Sequence, residues 1–331
     1  MLVQKRKHLY EFLDCIPELR VSSIGDLFLD IYCDTSIRTS ETEDNIPIHD
    51  IDQIHYQIGG AGTIARICAG LQLKTSLFGV VGADKPGQII KEITSSNQNI
   101  ETHLFLSQER KTAVKTRFRK NLNVQFRADF ESTSPISFEE ARNAAKSAEN
   151  VINDSDVILI ADYGKGLHPI WNRKNPFWQT SGKSFVATDT RSIPEYFPKN
   201  LNLVKKNRCE WLETKSWLGT EINDENDVTI AHHLFREFGF TTLLITLDKD
   251  GMKAIDNRNN KVSCSSFARN IITEVSAGNC AFVLFSLAQS LKFPLELSIT
   301  IASIGAACTL EKPGSEVPSL NDLYSFIENY S

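Results

Sequence analysis

No apolar run in this 331-residue sequence approaches the roughly 18 residues that a membrane-spanning helix requires, and Met1 to Leu19 is charged throughout, without the apolar centre of a signal peptide. Both absences predict a soluble, cytoplasmic protein with no membrane partner. Charge of one sign is scarce too: 36 Lys and Arg against 41 Asp and Glu leave a net charge of −5. The basic runs Lys5-Arg6-Lys7 and Lys205-Lys206-Asn207-Arg208 are short, so the electrostatic footprint of a nucleic-acid-binding protein is missing. The seven cysteines (Cys15, Cys33, Cys68, Cys209, Cys264, Cys280, Cys308) are odd in number and scattered, with no CxxC pair; this predicts reduced, mostly buried thiols. The seven histidines show no metal-ligand spacing, and no structural metal is expected. The segment Trp171 to Trp178 lacks the regular basic interleaving of a base-stacking platform and reads as packing. No internal repeat, low-complexity tract or Pro/Gly/Ser-rich linker divides the chain. What remains is 41% hydrophobic, enough for a large core in one domain spanning 1–331.

Short apolar runs alternate with helical patterns, as they do in a mostly parallel sheet covered by helices on both faces. Strands are expected at Val21–Asp26, Thr75–Asp84, Val157–Asp162, Phe185–Asp189, Leu201–Val204 and Leu243–Thr246. Several finish on Asp, Thr or Gly. Ligands in open α/β sheets lie beyond the carboxyl ends of the strands, so these endings are candidate site residues, although an Asp there serves equally as a helix cap. Residues 31–58 and 112–130 break the alternation; their patterns, as in Val124-Gln125-Phe126-Arg127-Ala128-Asp129, suit half-exposed antiparallel strands of an inserted β lid.

The most informative segment is Thr273-Glu274-Val275-Ser276-Ala277-Gly278-Asn279, a small-residue turn that runs into the apolar stretch Cys280–Phe285. A turn that opens a buried helix presents free N–H groups to an anion and is suited to phosphate. Just inside that helix stands Asn279, whose amide cannot take a proton from a hydroxyl as a carboxylate does. Taken alone, Ser276-Ala277-Gly278 is equally a tight strand-to-helix turn with Ser276 as N-cap.

The order Gly25-Asp26, Gly59-Gly60-Ala61, Asp162-Tyr163-Gly164-Lys165-Gly166, Asn207 with Glu210, Thr246 with Gly251, and Ser276-Ala277-Gly278-Asn279 resembles the ribokinase-like carbohydrate kinases. Within that family the chain is most similar to the heptose 7-phosphate kinase domain of the enzymes that make ADP-heptose. The supporting runs are Gly25–Tyr32, Asp162–Gly166 and Arg127-Ala128-Asp129-Phe130-Glu131. The resemblance spans about Val21 to Pro318 and implies Mg-ATP as phosphoryl donor, a sugar phosphate as acceptor, and a homodimer built through the lid. It places the substrate at Gly59-Gly60 and at Asp26 or Asp30, with Thr63, Arg127, Asp162 and Lys165 in the matching motifs. It places the nucleotide at Asn207, Glu210, Thr246 and Gly251, and phosphoryl transfer at Ser276, Ala277, Gly278 and Asn279.

The departures from the family pattern fall on the chemistry. Where the family reads D-T/V-T/V-G-A-G-D, this chain has Thr273 for the first Asp, Ser276 for the first Gly and Asn279 for the base. After the glycine pair, Thr63 stands where the family has an Asn that binds sugar hydroxyls. Two readings follow: a sugar kinase with a weakened or relocated base, for which Glu274 and Asp248 are nearest in sequence, or a catalytically silent pseudokinase that binds ligand or acts as a scaffold. Bland alternatives stand beside individual residues: Gly59-Gly60 as a plain turn, Lys165 as a solvated loop lysine, Asp162 as a cap.

Overall fold

Strand β1, Arg20–Thr39, is twenty residues long and belongs to two sheets in turn. The computed structural model describes residues 2–39, 46–171, 184–191, 201–219, 226–273, 275–312 and 316–329; Asn45, Trp178 and Glu274 lie outside these. The remaining strands are β2 (Pro47–Gly60), β3 (Lys74–Gly82), β4 (Ile100–Ser107), β5 (Ala113–Lys120), β6 (Asn123–Phe130), β7 (Val157–Asp162), β8 (Phe185–Thr190), β9 (Leu203–Asn207), β10 (Thr242–Thr246), β11 (Met252–Asp256) and β12 (Lys261–Cys264). The helices are α1 (Leu2–Cys15), α2 (Ala61–Gly70), α3 (Lys85–Ser95), α4 (Phe138–Asn153), α5 (His168–Trp171), α6 (Arg208–Trp217), α7 (Asp227–Phe238), α8 (Ala277–Ser290), α9 (Leu295–Leu310) and α10 (Leu320–Asn329).

The main sheet has the order β12-β11-β10-β9-β8-β7-β1-β3-β4, parallel from β10 to β4, with β11 and β12 added antiparallel at one edge. Strand β7 shows why its sequence is apolar without a break: Val157, Leu159 and Ala161 pack toward α2, α8 and α9, while Ile158 and Ile160 face α4 and α7. A strand buried on both faces has no polar side to display. Helix α8 is buried from Cys280 to Ala288 because it lies between the sheet and α9.

The first strand was expected to stop at Asp26, but β1 continues for thirteen residues to Thr39. Up to Asp26 it pairs with β3 and β7; from Leu27 onward it pairs with β2 and from Phe28 with β5. Gly25 sits at the handover with φ +142, and a Cβ there would lie 2.1 Å from the Ala161 carbonyl oxygen. No side chain fits so close to a neighbouring strand. The lid strands are β1 beyond Asp26, β2, β5 and β6. Only part of their pairing is antiparallel: β2 runs against β1 and β6 against β5, whereas β5 lies parallel to β1. Strand β6 is exposed at every position, on both faces, and not half-exposed as its alternation suggested. The strand expected at Leu201–Val204 is displaced to Leu203–Asn207, because Asn202 spends its backbone and amide oxygens on Val186, Thr241 and Thr242 before the ladder begins. Lys205 and Lys206, from the short basic run, thereby lie in the strand and are buried.

Candidate functional site

The carboxyl ends of β7, β8, β9 and β10 deliver Asp162, Asp189 with Thr190, Asn207 and Thr246 to one edge of the sheet, where α8 begins. Tyr163 ties the edge together. Its backbone N–H donates to Asp26 Oδ2 at 2.7 Å, and its hydroxyl lies 3.1 Å from Asn279 Oδ1 and 3.4 Å from Asp189 Oδ2. Burial, with the charges of Asp189 and Glu210 behind it, raises the Tyr163 pKa well above the ordinary tyrosine value, so the ring keeps its proton. Asp189 is buried and also accepts from Lys205 Nζ at 2.9 Å. That ammonium stands at the opening turn of α8, 3.8 Å from where a Cβ on Gly278 would be. Lys206, buried beside it, donates to the Thr190 carbonyl, and burial lowers its pKa to about 8 despite the nearby carboxylates Glu210, Asp162 and Asp189.

Ser276 occupies the N-cap position of α8 with φ +69 and makes no side-chain capping hydrogen bond. The reading of Ser276 as an ordinary cap is therefore corrected: it holds the cap position without a side-chain bond to the helix N–H groups, on a left-handed backbone that suits glycine. Ser276→Gly should raise stability by about 1 kcal/mol, read as a higher denaturation midpoint at unchanged slope.

On the nucleotide side, Thr246, Asp248, Gly251, Ala277 and Gly278 line one cavity of about 260 Å³. Asn207 and Glu210 stand next to it but are turned on each other: Asn207 Oδ1 accepts the Glu210 N–H, and Glu210 Oε2 accepts the Asn207 N–H, a capping box that starts α6. The other Glu210 oxygen faces Arg191 Nε at 3.6 Å. Asp248 lines the same cavity, largely exposed and facing Arg208 Nε at 3.6 Å.

On the substrate side, Gly60 has φ +67 and its absent Cβ would lie 2.0 Å from the Asp26 carbonyl oxygen, while Gly59 abuts the Asp30 carboxylate. The plain-turn reading of this pair gives way to the end of β2, where Gly60 and Gly59 pair antiparallel with Leu27 and Phe28 of β1. Asp30, paired with Arg117, is the carboxylate beside the glycines; burial raises its pKa and Arg117 opposes the rise. Asp26 is turned inward, its Oδ2 held by the N–H groups of Tyr163 and Lys165 and its Oδ1 buried with no partner among the described residues. Burial, reinforced by the charge of Asp162, raises its pKa from 3.8 to about 7. The folded chain thus holds this proton more tightly than the unfolded chain. The stabilisation is complete below pH 4 and is lost as pH rises through about 7. Asp26→Asn should therefore melt higher than the parent at pH 8 and no higher at pH 4.

Asp162 takes the Thr190 hydroxyl at 2.7 Å and the Gly164 N–H at 3.2 Å, which includes the capping role expected of it. Lys165 is not a solvated loop lysine: it is buried and bound to Glu131, which also takes Lys115. Burial pushes Glu131 up, but the hydrogen bonds from Lys165 and Lys115 outweigh it and hold its pKa below the usual range. Thr63 spends its hydroxyl on the Ile58 carbonyl. Arg127 lies further out on β6, bound to Asp129, and reaches Asp30 through charge alone. Reading the sequence missed Tyr163, Asp189, Lys205, Arg117 and Glu131. Asp189 carried a signal as the last residue of an expected strand; Lys205 was noted only within a short basic run.

These elements define a ribokinase-like α/β fold, with a mostly parallel central sheet covered by helices. The chain belongs to the pfkB family of carbohydrate kinases, whose profile matches residues 19–322. Bifunctional protein HldE from Campylobacter fetus subsp. fetus is 27% identical over 309 residues, covering 92% of this chain and 66% of its own. Its namesake from Desulfatibacillum aliphaticivorans is 25% identical over 300 residues, covering 89% and 60%. The chain spans about three fifths of the length of the curated relatives it matches. Among solved structures, phosphofructokinase-2 from Escherichia coli in complex with potassium superposes with a TM-score of 0.72 at 13% identity, covering 94% of this chain and 98% of that one. Ribokinase from Arabidopsis thaliana complexed with ribose and ATP gives 0.65 at 15% identity, covering 95% and 99%.

Proposed function

We propose that this protein is an ATP-dependent kinase of a phosphorylated sugar, of the heptose 7-phosphate type, working without a carboxylate at position 279. The observation that carries the reading is the meeting of the α8 N-terminus, the buried Lys205 ammonium and the cavity lined by Thr246 and Gly251. Helix N–H groups and a fixed cation in one place suit the phosphates of a nucleotide and charge building on a moving phosphoryl group. The Glu210 oxygen outside the α6 capping box would hold Mg²⁺, which when bound neutralises donor phosphate charge. Asp30 and the backbone at Gly59-Gly60 suit sugar hydroxyls, and Arg117, Arg127 and Lys165 supply positive charge for the phosphate already on the sugar. The lid leaves Ile54, Tyr56, Phe126 and Phe130 exposed. A homodimer that covers this face is part of the proposal and is read by light scattering.

The second reading, a silent ligand-binding or scaffolding subunit, draws on the changes at Ser276 and Asn279 in one loop. Titration with Mg-ATP, Mg-ADP and a heptose 7-phosphate, followed by ADP release in the same samples, separates the two. Saturable binding of both ligands with ADP formed above blank supports the kinase. Binding without turnover selects the ligand-binding subunit, and no binding selects the scaffold.

A further inference from the structure

A kinase that lacks the carboxylate at 279 still has to place the proton of the acceptor hydroxyl. Among the described residues, most carboxylates at this edge are committed elsewhere. Asp162 is held by Thr190 and Gly164, Glu210 by the start of α6, and Asp26 by two backbone amides, while Asp248 faces solvent and Arg208. Asp189 differs: one oxygen is fixed by Lys205, and the other faces the Tyr163 hydroxyl, which itself touches Asn279.

Resting on the kinase reading above, we propose that Asp189 is the terminal proton acceptor for phosphoryl transfer, reached through the Tyr163 hydroxyl in place of a base at 279. A hydroxyl carries one proton, so Tyr163 donates either to Asn279 or to Asp189. Turning the Asn279 amide so that Nδ2 faces the ring makes Asn279 the donor and directs the tyrosine proton to Asp189. Asn279 Nδ2–H then only orients Tyr163 Oη, and the proton path runs from Tyr163 Oη–H to Asp189 Oδ2, with Lys205 holding the carboxylate in place.

In the transfer step the acceptor oxygen bonds to the γ-phosphorus of a nucleoside triphosphate as its own O–H breaks. That proton goes to Tyr163 Oη, and the proton already on Oη goes to Asp189 Oδ2. The bond between the γ-phosphorus and the bridging oxygen breaks, leaving its electron pair on the nucleoside diphosphate. Asp189 returns its proton to solvent when product leaves. Tyrosine serves as a conduit and never as a lasting anion, in keeping with the raised pKa set by its burial.

The test is a double-mutant cycle on ADP formation from Mg-ATP and a heptose 7-phosphate, with Mg-ATP binding followed separately by calorimetry. Tyr163→Phe should lower kcat at least tenfold with less than a threefold change in Mg-ATP affinity. The same change made on top of Asn279→Asp should cost less than threefold, because a local carboxylate makes the relay redundant. Asp189→Asn should follow the same pattern; if removing the Lys205 partner unfolds it, the Tyr163→Phe arm decides alone. Equal losses in both backgrounds, or no loss in the parent, overturn the relay in favour of a structural role for Tyr163. A parent that binds Mg-ATP and the heptose 7-phosphate but releases no ADP also overturns it, while leaving the ligand-binding reading intact. A parent that binds neither overturns the relay and the kinase reading together.

Discussion

Asn279→Asp is expected to raise phosphoryl transfer to a heptose 7-phosphate by about 10²- to 10⁴-fold, the range that general base catalysis contributes where the geometry is already in place. The new carboxylate would sit on the first turn of α8, where the helix dipole stabilises negative charge, and would receive the Tyr163 hydroxyl that now lies 3.1 Å from Asn279 Oδ1. Carboxamide and carboxylate have nearly the same shape, so packing around α8 should not change. The rate of ADP release at saturating Mg-ATP reads the effect, and the rise should appear in kcat with little change in KM, since the group acts on the proton in flight. If the variant binds both ligands and turns over no faster than the parent, loss of the base does not explain the departure at this loop. The left-handed Ser276 would then be the next residue to restore, through Ser276→Gly combined with Asn279→Asp.

Asp227→Ala should be the most destabilising single change outside the site, costing about 3–5 kcal/mol. Asp227 and Lys215 are each 1% exposed and meet at 2.6 Å. The same carboxylate accepts from Trp211 Nε1 at 2.9 Å and faces Lys253 Nζ at 3.6 Å, so one buried charge joins α6, α7 and β11. Removing it leaves a buried ammonium without that counter-charge and an indole N–H without its acceptor. Differential scanning calorimetry should show a fall in Tm on the order of 10 °C. Adding Lys215→Met to Asp227→Ala should recover part of the loss, because deleting both members of a buried pair removes the uncompensated charge. A double variant no more stable than Asp227→Ala alone would show that the cost comes from Trp211 and Lys253 and not from Lys215. Because α6 carries Glu210 at its first turn, a loosened α6 should also weaken Mg-ATP binding.

Much of the fold was legible before any coordinates, for reasons that particular segments make plain. Val157–Asp162 announces a strand because burial on both faces demands an unbroken apolar run, and its ending at Asp162 is as expected. The lid was legible as a break in the alternation, though not in its pairing. Whether β5 runs with or against β1 depends on how the chain returns from β4, which the alternation within 112–130 does not encode. The extent of β1 was hidden because Gly25-Asp26 looks like a strand ending, and only the crossing beside Ala161 shows that the glycine lets the strand bend and continue. The burial of Lys205 and Lys206, at 5% and 2%, is not written in their short basic run; only the sheet makes them internal partners of Asp189 and Thr190.

The sequence by itself determined the family order of motifs, the turn that opens α8, and the identity of residue 279, because each is written in consecutive residues with local conformational preferences. Only the tertiary structure decided what surrounds Asn279. Tyr163, Asp189, Lys205 and Asn279 come from four separate segments and meet because neighbouring parallel strands end in register at one edge of the sheet. Contacts of that kind are set by strand order and packing, and linear spacing carries no record of them.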